Sequence, residues 1–433
     1  MMMENLLLTK GQIIGEDGEL IPADIRIHQG KVVEIGKQLA EAGETVIVVE
    51  EKLIIPGLID LHIHLREPGF EAKETIATGT RSAAKGGYTT VACMPNTNPI
   101  TDCVEGVRRI LDTNDQEGCG VRVLPIAAIT KASNGNELTD MAALKEAGAF
   151  AVSDDGVGVQ SPRMMKAAMR QAAEVYVAVI AHCEEEDLLV EGACVHEGQF
   201  AKEHNLPGIP GESEAIHVGR DILLAEDTGV HYHICHMSAE ASVRLLREAK
   251  SRGQWVTGEV TPHHLLLCEE DIPGMDTRFK MNPPLRRRKD QEVLLEALKD
   301  GTIDFIATDH APHTTEEKAQ GMVKSPFGIV GLETAFPLLY THLVATGKLT
   351  LKELVDKMTQ NPAACFQLPW GRLAEGAIAD LAIIDLNSER VVDPENFASK
   401  GRNTPFGGWK LKGWPTMTLV EGNIVWQEPG IHL

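Results

Sequence analysis

The sequence predicts an α/β protein, a (β/α)8 barrel of the TIM type with a small β-sandwich domain formed by both chain termini. Three observations predict it. Eight apolar, strand-like runs recur through the middle of the chain, helical segments separate several of them, and both ends read as short strands broken by turns. Alternating β and α segments with eight strands over roughly 250–300 residues point to a closed barrel. The competing arrangement is an open doubly wound sheet, but no GxGxxG turn follows the first strand. The "KGGY" at Lys85–Tyr88 is only the turn out of a helix. The expected division is 1–55 and 369–433 for the two parts of the sandwich domain and 56–368 for the barrel.

In chain order, "LLLTKGQII", "DIRIHQGKVVEIG" and "TVIVVEEKLIIPG" supply the first strands of the terminal module. Their Val and Ile runs, punctuated by Gly, Asp and Gln, favour strands and tight turns. The barrel strands follow as "LIDLHIH", "TTVACMPN", "VRVLPIAAIT", "AFAVSDD", "VAVIAH", "VHYHICH", "WVTGEVTP" and "DFIATD". Stretches such as "MMKAAMRQAAEV" and "ASVRLLREAKSRG" carry the helical spacing of apolar residues. Past about Trp370, "DLAIIDL" and "GWPTMTLVEGNIVW" return to strand patterning. Glu184–Ile216 and Pro312–Gly331, rich in Gly, Pro and charge, read as long loops.

Composition narrows the function classes. With 433 residues, 43% of them apolar and 24% charged, the chain can bury a large core. Its net charge of -22 argues against nucleic acid or an anionic membrane as partner. The opening "MMMENLLLTKGQIIGEDGEL" sets Glu4 and Lys10 around a short apolar run, unlike a secretory leader, and no stretch is long enough to span a bilayer. The eight cysteines are scattered without a CxxC pair, which suggests reduced thiols and a cytoplasmic protein. Cys183 and Cys235 lie beside histidines but read as small buried apolar residues.

Polar residues gather at the C-terminal ends of the runs. "PGLIDLHIHLREPG" places Asp60, His62, His64 and Arg66 on one parity and Ile59, Leu61 and Ile63 on the other. On a strand the two imidazoles would sit roughly 6.5–7 Å apart on one face, with the polar set looking into a cavity. Run four ends in Asp154-Asp155, run five in His182, run six in His236 and run eight in Asp309. A barrel brings all those ends to one mouth. Imidazoles and carboxylates there form a site of N/O character, suited to zinc or a similar divalent ion. Parity separates the aspartates: bulky Phe150 and Val152 should face the helices with Asp154, leaving Asp155 inward with Ala151 and Ser153. His263 and His264 read as structural or as supports of the ligands, and His231 and His233 fall on the parity opposite His236.

At this point the residues resemble the amidohydrolase superfamily and, within it, the bacterial class I dihydroorotases. The motifs "DLHIHLREPG", "MPNTNP", "SDDGVGV", "AHCE", "CHMS", "MNPPLR", "DFIATDHAPH" and "PFGIVGLET" occur in that family's order, nearly end to end. The resemblance implies a zinc-dependent, reversible hydrolysis of the cyclic amide of (S)-dihydroorotate to N-carbamoyl-L-aspartate in pyrimidine biosynthesis. It makes His62, His64, Asp155, His182, His236 and Asp309 the residues of two zinc ions bridged by Asp155 and a hydroxide, with Asp309 also the catalytic acid/base. His64, Arg66, Asn96, Asn282, His313, Phe327 and Gly328 match its substrate-binding positions. It also implies a small-molecule substrate and a homodimer able to associate with aspartate transcarbamoylase. Arg66 offers a planar fork for the substrate carboxylate. The alternatives are a dihydropyrimidinase, hydantoinase or allantoinase, or an inactive scaffold of the same fold. Dihydropyrimidinases, hydantoinases and many allantoinases bridge their metals with a carboxylated lysine ending strand four, where this chain has Asp155, with Lys145 earlier in helical "ALKEAG".

Overall fold

The computed structural model describes residues 5–429; residues 1–4, on which part of the reading of the opening segment rests, and 430–433 lie outside it. Eight parallel strands form the barrel in sequence order: Leu58–Ile63, Tyr88–Cys93, Arg122–Ala127, Ala151–Val152, Ala178–Ala181, Tyr232–Ile234, Val256–Val260 and Phe305–Ile306. Closure runs through the chain just past the eighth strand. Ile63 bridges His310 in parallel, and the His64 amide donates to His310 O at 2.8 Å. All eight strand-like runs of the sequence are barrel strands.

The helices outside follow from local chemistry. Pro162–Glu174 starts at Ser161, whose hydroxyl accepts from Met164 N, and carries proline in its first turn. It buries Met165, Ala168, Met169 and Ala172, one stripe at i, i+3, i+4 and i+7, against the barrel. Burying a side chain as large as methionine contributes about 1.5–3 kcal/mol. The barrel interior is a separate cluster of Ile59, Leu61, Met94, Ile126, Ile180 and Phe305, among others. It is closed at the bottom by Phe366 and Trp370, so the interior is a plug and chemistry is confined to the mouth.

Both termini build one eight-stranded sheet. Its order is Asn423–Gln427, Trp414–Val420, Leu381–Asp385, Leu53–Pro56, Leu6–Ile14, Leu20–His28 and Lys31–Gly36, with Thr45–Val48 also pairing with Leu6–Ile14. The sheet curls until Val32 N meets Ala377 O at 2.9 Å and Ala379 N meets Gly30 O at 2.8 Å. Leu6, Leu8, Ile25, Ile27, Met417 and Leu419 fill the enclosed side, which gives the module its sandwich character. Leu53, Ile55, Ala382 and Ile384 belong instead to the cluster that includes the barrel strands and helices.

Three sequence expectations change. The long loops are partly ordered: 184–216 contains the ribbon Val195–His196 with Gly208–Ile209 and the helix Gln199–His204, and 312–331 contains Thr315–Lys318 and Gly321–Lys324. The residues from 390 to 411 leave the terminal sheet. Val392, Phe406 and Leu411 pack with Phe200, Met281 and Met322 beside the barrel. The third change is parity in the first barrel strand. Ile59 and Leu61 enter the barrel interior while Ile63 faces the outer layer, because the pairing register shifts between Asp60 and Ile63. Asp60 consequently does not look into the cavity. It accepts from Thr308 N at 3.1 Å and His62 N at 3.2 Å, tying the first strand to the eighth.

Candidate active site

The six residues expected as ligands meet at the barrel mouth, each at most 6% exposed. His62 and His64 arrive from the end of the first strand, their ring centroids 5.6 Å apart, and the His62 and His236 rings stand 5.0 Å apart. His62 Nε2 lies 3.6 Å from Asp155 Oδ1 and 3.5 Å from Asp309 Oδ1. His64 Nε2 lies 3.1 Å from Asp309 Oδ1 and 3.7 Å from Asp155 Oδ2. His182 Nδ1 and His236 Nε2 are 3.0 Å apart. These separations scatter around about 3.3–3.4 Å, the edge of a tetrahedron whose metal–ligand bonds are ~2.0–2.1 Å.

The donor set fits divalent cations. His62 Nε2, Asp155 Oδ1 and His236 Nδ1 are buried and find no hydrogen-bond partner, an arrangement that is costly unless a cation completes it. Two groups of ligand atoms, His62–Asp155–His236 and His62–His64–Asp309, are each compact enough for one ion. Burial raises the Asp155 carboxyl, but His62, His64, His182 and Arg66 outweigh it and hold the group below the usual carboxylate range. Asp155 is therefore an anion at neutral pH. Arg66, His236 and Asp309 have φ of 63°, 32° and 50°, left-handed backbone that branched or bulky side chains adopt rarely outside functional sites.

The two aspartates separate as expected, although not for the expected reason. Asp154 turns away and accepts from Ile129 N at 2.9 Å and Thr130 N at 3.1 Å. Val152 faces the outer layer, yet Phe150 packs against the barrel interior, its ring 5.1 Å from Phe366. The short fourth strand spans only Ala151–Val152, so strict alternation holds only there.

The substrate-binding candidates form the wall around the cluster. Arg66 Nε donates to Pro312 O at 3.2 Å, and its Nη2 stands 3.2 Å from His313 Nε2. Burial brings Arg66 down to about 10, with Asp309 and Asp155 acting the other way, so the guanidinium stays charged at neutral pH. Burial, then Arg66, lower His313 to about 2, which leaves a neutral imidazole. His313 Nε2 lies 2.7 Å from Phe327 O. Asn96 is already engaged at both ends, its Oδ1 2.9 Å from His64 Nδ1 and its Nδ2 donating to Asp155 Oδ2 at 3.1 Å. Asn282 donates to Glu184 Oε2 at 3.2 Å, leaving its own Oδ1 without a partner. The Gly328 amide is spent on Lys280 O at 3.0 Å.

Sequence reasoning missed three contributors. Glu259, on the seventh strand, sits 2.6 Å from His62 Nδ1 and 3.1 Å from His233 Nε2. Glu184 approaches His182 Nε2 at 3.8 Å. Asn403, from the C-terminal segment, accepts from His313 N and donates to Ala311 O and Gly328 O. Cys235 is buried among the apolar residues of the barrel interior, as expected, beside His62 and Glu259. His264 is structural, bonded to Thr261 Oγ1 and Pro283 O. A cleft of about 930 Å³ lined by His196, Arg244 and Arg286 contains none of the site residues.

With this geometry in view, the likeness to known proteins is specific. Residues 51–242 match the family described as Dihydro-orotase-like, and residues 286–426 match the Amidohydrolase family. A dihydroorotase of Brevibacillus brevis is 60% identical over 423 residues, covering 98% of this chain and 99% of its own length. One from Bacillus caldolyticus is 60% identical over 422 residues, 97% of this chain and 98% of that protein. Among solved structures, an L-hydantoinase (dihydropyrimidinase) from Arthrobacter aurescens superposes with a TM-score of 0.86 at 26% identity, over 100% of this chain and 98% of its own. The hydantoinase likeness reports the shared barrel and sheet, whereas identity of 60% along nearly the whole of both chains places this chain in the dihydroorotase family of the amidohydrolases.

Proposed function

We propose that the chain catalyses the reversible hydrolysis of the ring amide of (S)-dihydroorotate to N-carbamoyl-L-aspartate, a metal-dependent reaction of pyrimidine biosynthesis. The observation that carries the reading is the orphaned donor set His62 Nε2, Asp155 Oδ1 and His236 Nδ1, with a charged, partly buried Arg66 on the same mouth. The reading assigns two zinc ions to His62, His64, Asp155, His182, His236 and Asp309. Divalent cations so held supply Lewis acidity to a carbonyl oxygen and acidify water.

The chain's own residues do the rest. Hydrolysis forms a carbon–oxygen bond from water and breaks the ring carbon–nitrogen bond, so one proton must travel from water to the leaving nitrogen. Asp309 carries it, as general base and then general acid. Arg66 pairs with the substrate carboxylate, which a chain of net charge -22 would otherwise repel. Glu259 fixes the His62 ring so that Nε2 faces the cluster. The same reading extends to a cytoplasmic homodimer able to associate with aspartate transcarbamoylase.

A dihydropyrimidinase is disfavoured by the place of Lys145, which donates to Val175 O at 2.7 Å, on the helix that precedes the fourth strand, and not in the cluster. The test is metal analysis of the purified protein alongside assays of dihydroorotate hydrolysis and carbamoyl-aspartate cyclisation. The expected result is bound divalent metal and activity in both directions, abolished by chelation with the circular dichroism spectrum retained. Turnover of hydantoin or dihydrouracil without turnover of dihydroorotate would sink the reading.

A further inference from the structure

Behind Phe327 and Gly328 lie two lysines whose burial the reaction does not explain. Lys280 is 2% exposed and Lys318 5%, and neither forms an ion pair among the described residues. Lys318 Nζ donates to Lys280 O at 3.1 Å, Pro326 O at 3.0 Å and Gly328 O at 3.1 Å. An ammonium has three donors, and here three carbonyls take all of them. Lys280 Nζ donates to Ser325 O at 2.5 Å and Val323 O at 3.2 Å and stands 4.3 Å from the Phe327 ring centroid.

The same backbone atoms serve the substrate wall. Lys280 O also accepts from Gly328 N, Gly328 O also accepts from Asn403 Nδ2 at 3.0 Å, and Phe327 O faces His313 Nε2. Gly328 has φ 126°, and a Cβ there would lie 2.6 Å from Ala311 Cβ, so the segment is held in one narrow course. Burying a charge without a counter-ion is costly. An apolar side chain would fill the same space but leave Pro326 O unpaired and take one of two donors from Lys280 O and from Gly328 O.

We propose that Lys318, backed by Lys280, is a positioning residue for the anionic substrate: it ties residues 326–328 to residue 280 and so sets the wall, Phe327 and Gly328 included, that holds His313 in place beside Arg66. The inference rests on the dihydroorotate reading of the site. Two consequences follow from its electrostatics. Lys318 places positive potential behind His313, whose imidazole it helps to keep neutral. Burial and then the neighbouring Lys280 bring the Lys318 ammonium down to about 7, with Asp276 the charged group acting the other way. Above that pH the amine keeps two donors for three carbonyls, and the wall loses one tie.

The experiment measures kcat and KM for dihydroorotate from pH 6 to 8.5 in the metal-saturated wild type, Lys318→Met and Lys318→Arg. In the wild type KM should rise severalfold across pH 7, with a limb that kcat does not share. Lys318→Met should raise KM about tenfold or more at pH 6, the loss of one or more charge-assisted contacts, while kcat stays within about threefold. Its KM should no longer change across pH 7. Lys318→Arg, which cannot lose its proton, should recover part of the affinity and also flatten the limb. A lowered melting temperature with KM within twofold of wild type would overturn the proposal, leaving Lys318 a structural tie. If Lys318→Met does not fold, the wild-type profile decides alone: a flat KM from pH 6 to 8.5 overturns it. Wild-type turnover of dihydroorotate, measured in the same series, shows separately whether the underlying reading stands.

Discussion

His62 Nδ1 lies 2.6 Å from Glu259 Oε1, and both side chains are 1% exposed. The contact dictates how the imidazole is used, because a proton held toward Glu259 leaves the Nε2 lone pair facing Asp155 and Asp309. Burial raises the Glu259 carboxyl, yet His62 and the bond from His233 outweigh it and bring the group to about 2. It remains an anion throughout the working range.

Glu259→Gln should therefore weaken metal binding about 10–100-fold, the usual cost of losing a ligand's orienting carboxylate. Titration of the apo protein against a competing chelator measures this directly. An unchanged affinity would mean that His62 is oriented by packing alone.

The paired aspartates offer a second test. Asp155→Asn keeps the shape but removes the anion shared among three histidines and Arg66, so metal content and rate should both fall sharply. Asp154→Asn should keep its metal. Its carboxylate accepts from the Ile129 and Thr130 amides and the Thr130 hydroxyl, so its loss should cost about 1–3 kcal/mol of stability instead. Metal per chain and melting temperature, read together, separate the two. Metal loss at Asp154 with tolerance at Asp155 would reverse the assignment.

The eight barrel strands and the residues at their ends were legible because each run is a local apolar pattern closed by a polar residue. What stayed hidden depends on contacts distant in sequence. Glu259 lies 197 residues from His62, and nothing in "WVTGEVTP" marks its glutamate as special. Asn403 reaches His313 from a segment that composition alone assigns to the terminal sheet. The turn of the first strand between Asp60 and Ile63 is a register shift, and alternation counted along one strand cannot show how it pairs with the next.

Stability should fall on the acid side because histidines outside the cluster, His231 and His196 among them, are buried without their protons. Burial holds His231 at about 3, and burial with Arg286 nearby holds His196 at about 4. Both values lie below the ordinary 6.5, so between pH 6.5 and 4 the unfolded chain binds protons that the native chain refuses. Stability is then present above pH 6.5 and is lost as pH falls, by about 2 kcal/mol per histidine at pH 5. Urea unfolding of the metal-saturated protein at pH 7.5, 6 and 5 should show the decline, and His231→Gln should reduce it. An equal decline in that variant would remove His231, which stacks 4.8 Å from Trp255, as a source.

Catalysis and recognition should separate at Asp309 and Arg66. Asp309 Oδ1 stands 3.1 Å from His64 Nε2, within the ligand cluster, and is proposed to move the proton. Asp309→Asn should lower kcat by about 10²–10⁴, the range for general acid–base catalysis, with a further loss if metal binding weakens. Arg66 is held by Pro312 O through Nε, which leaves the outer edge of its fork for a carboxylate. Arg66→Lys should raise KM strongly, because an ammonium keeps the charge but not the planar two-pronged geometry. Its kcat should fall as well to the extent that anchoring the carboxylate orients the ring. Dihydrouracil, the same ring without the carboxylate, is the control. Wild type should turn it over far more slowly than dihydroorotate, and Arg66→Lys should narrow that gap by losing the anionic substrate alone. Equal turnover of both rings by wild type would show that Arg66 does not read the carboxylate.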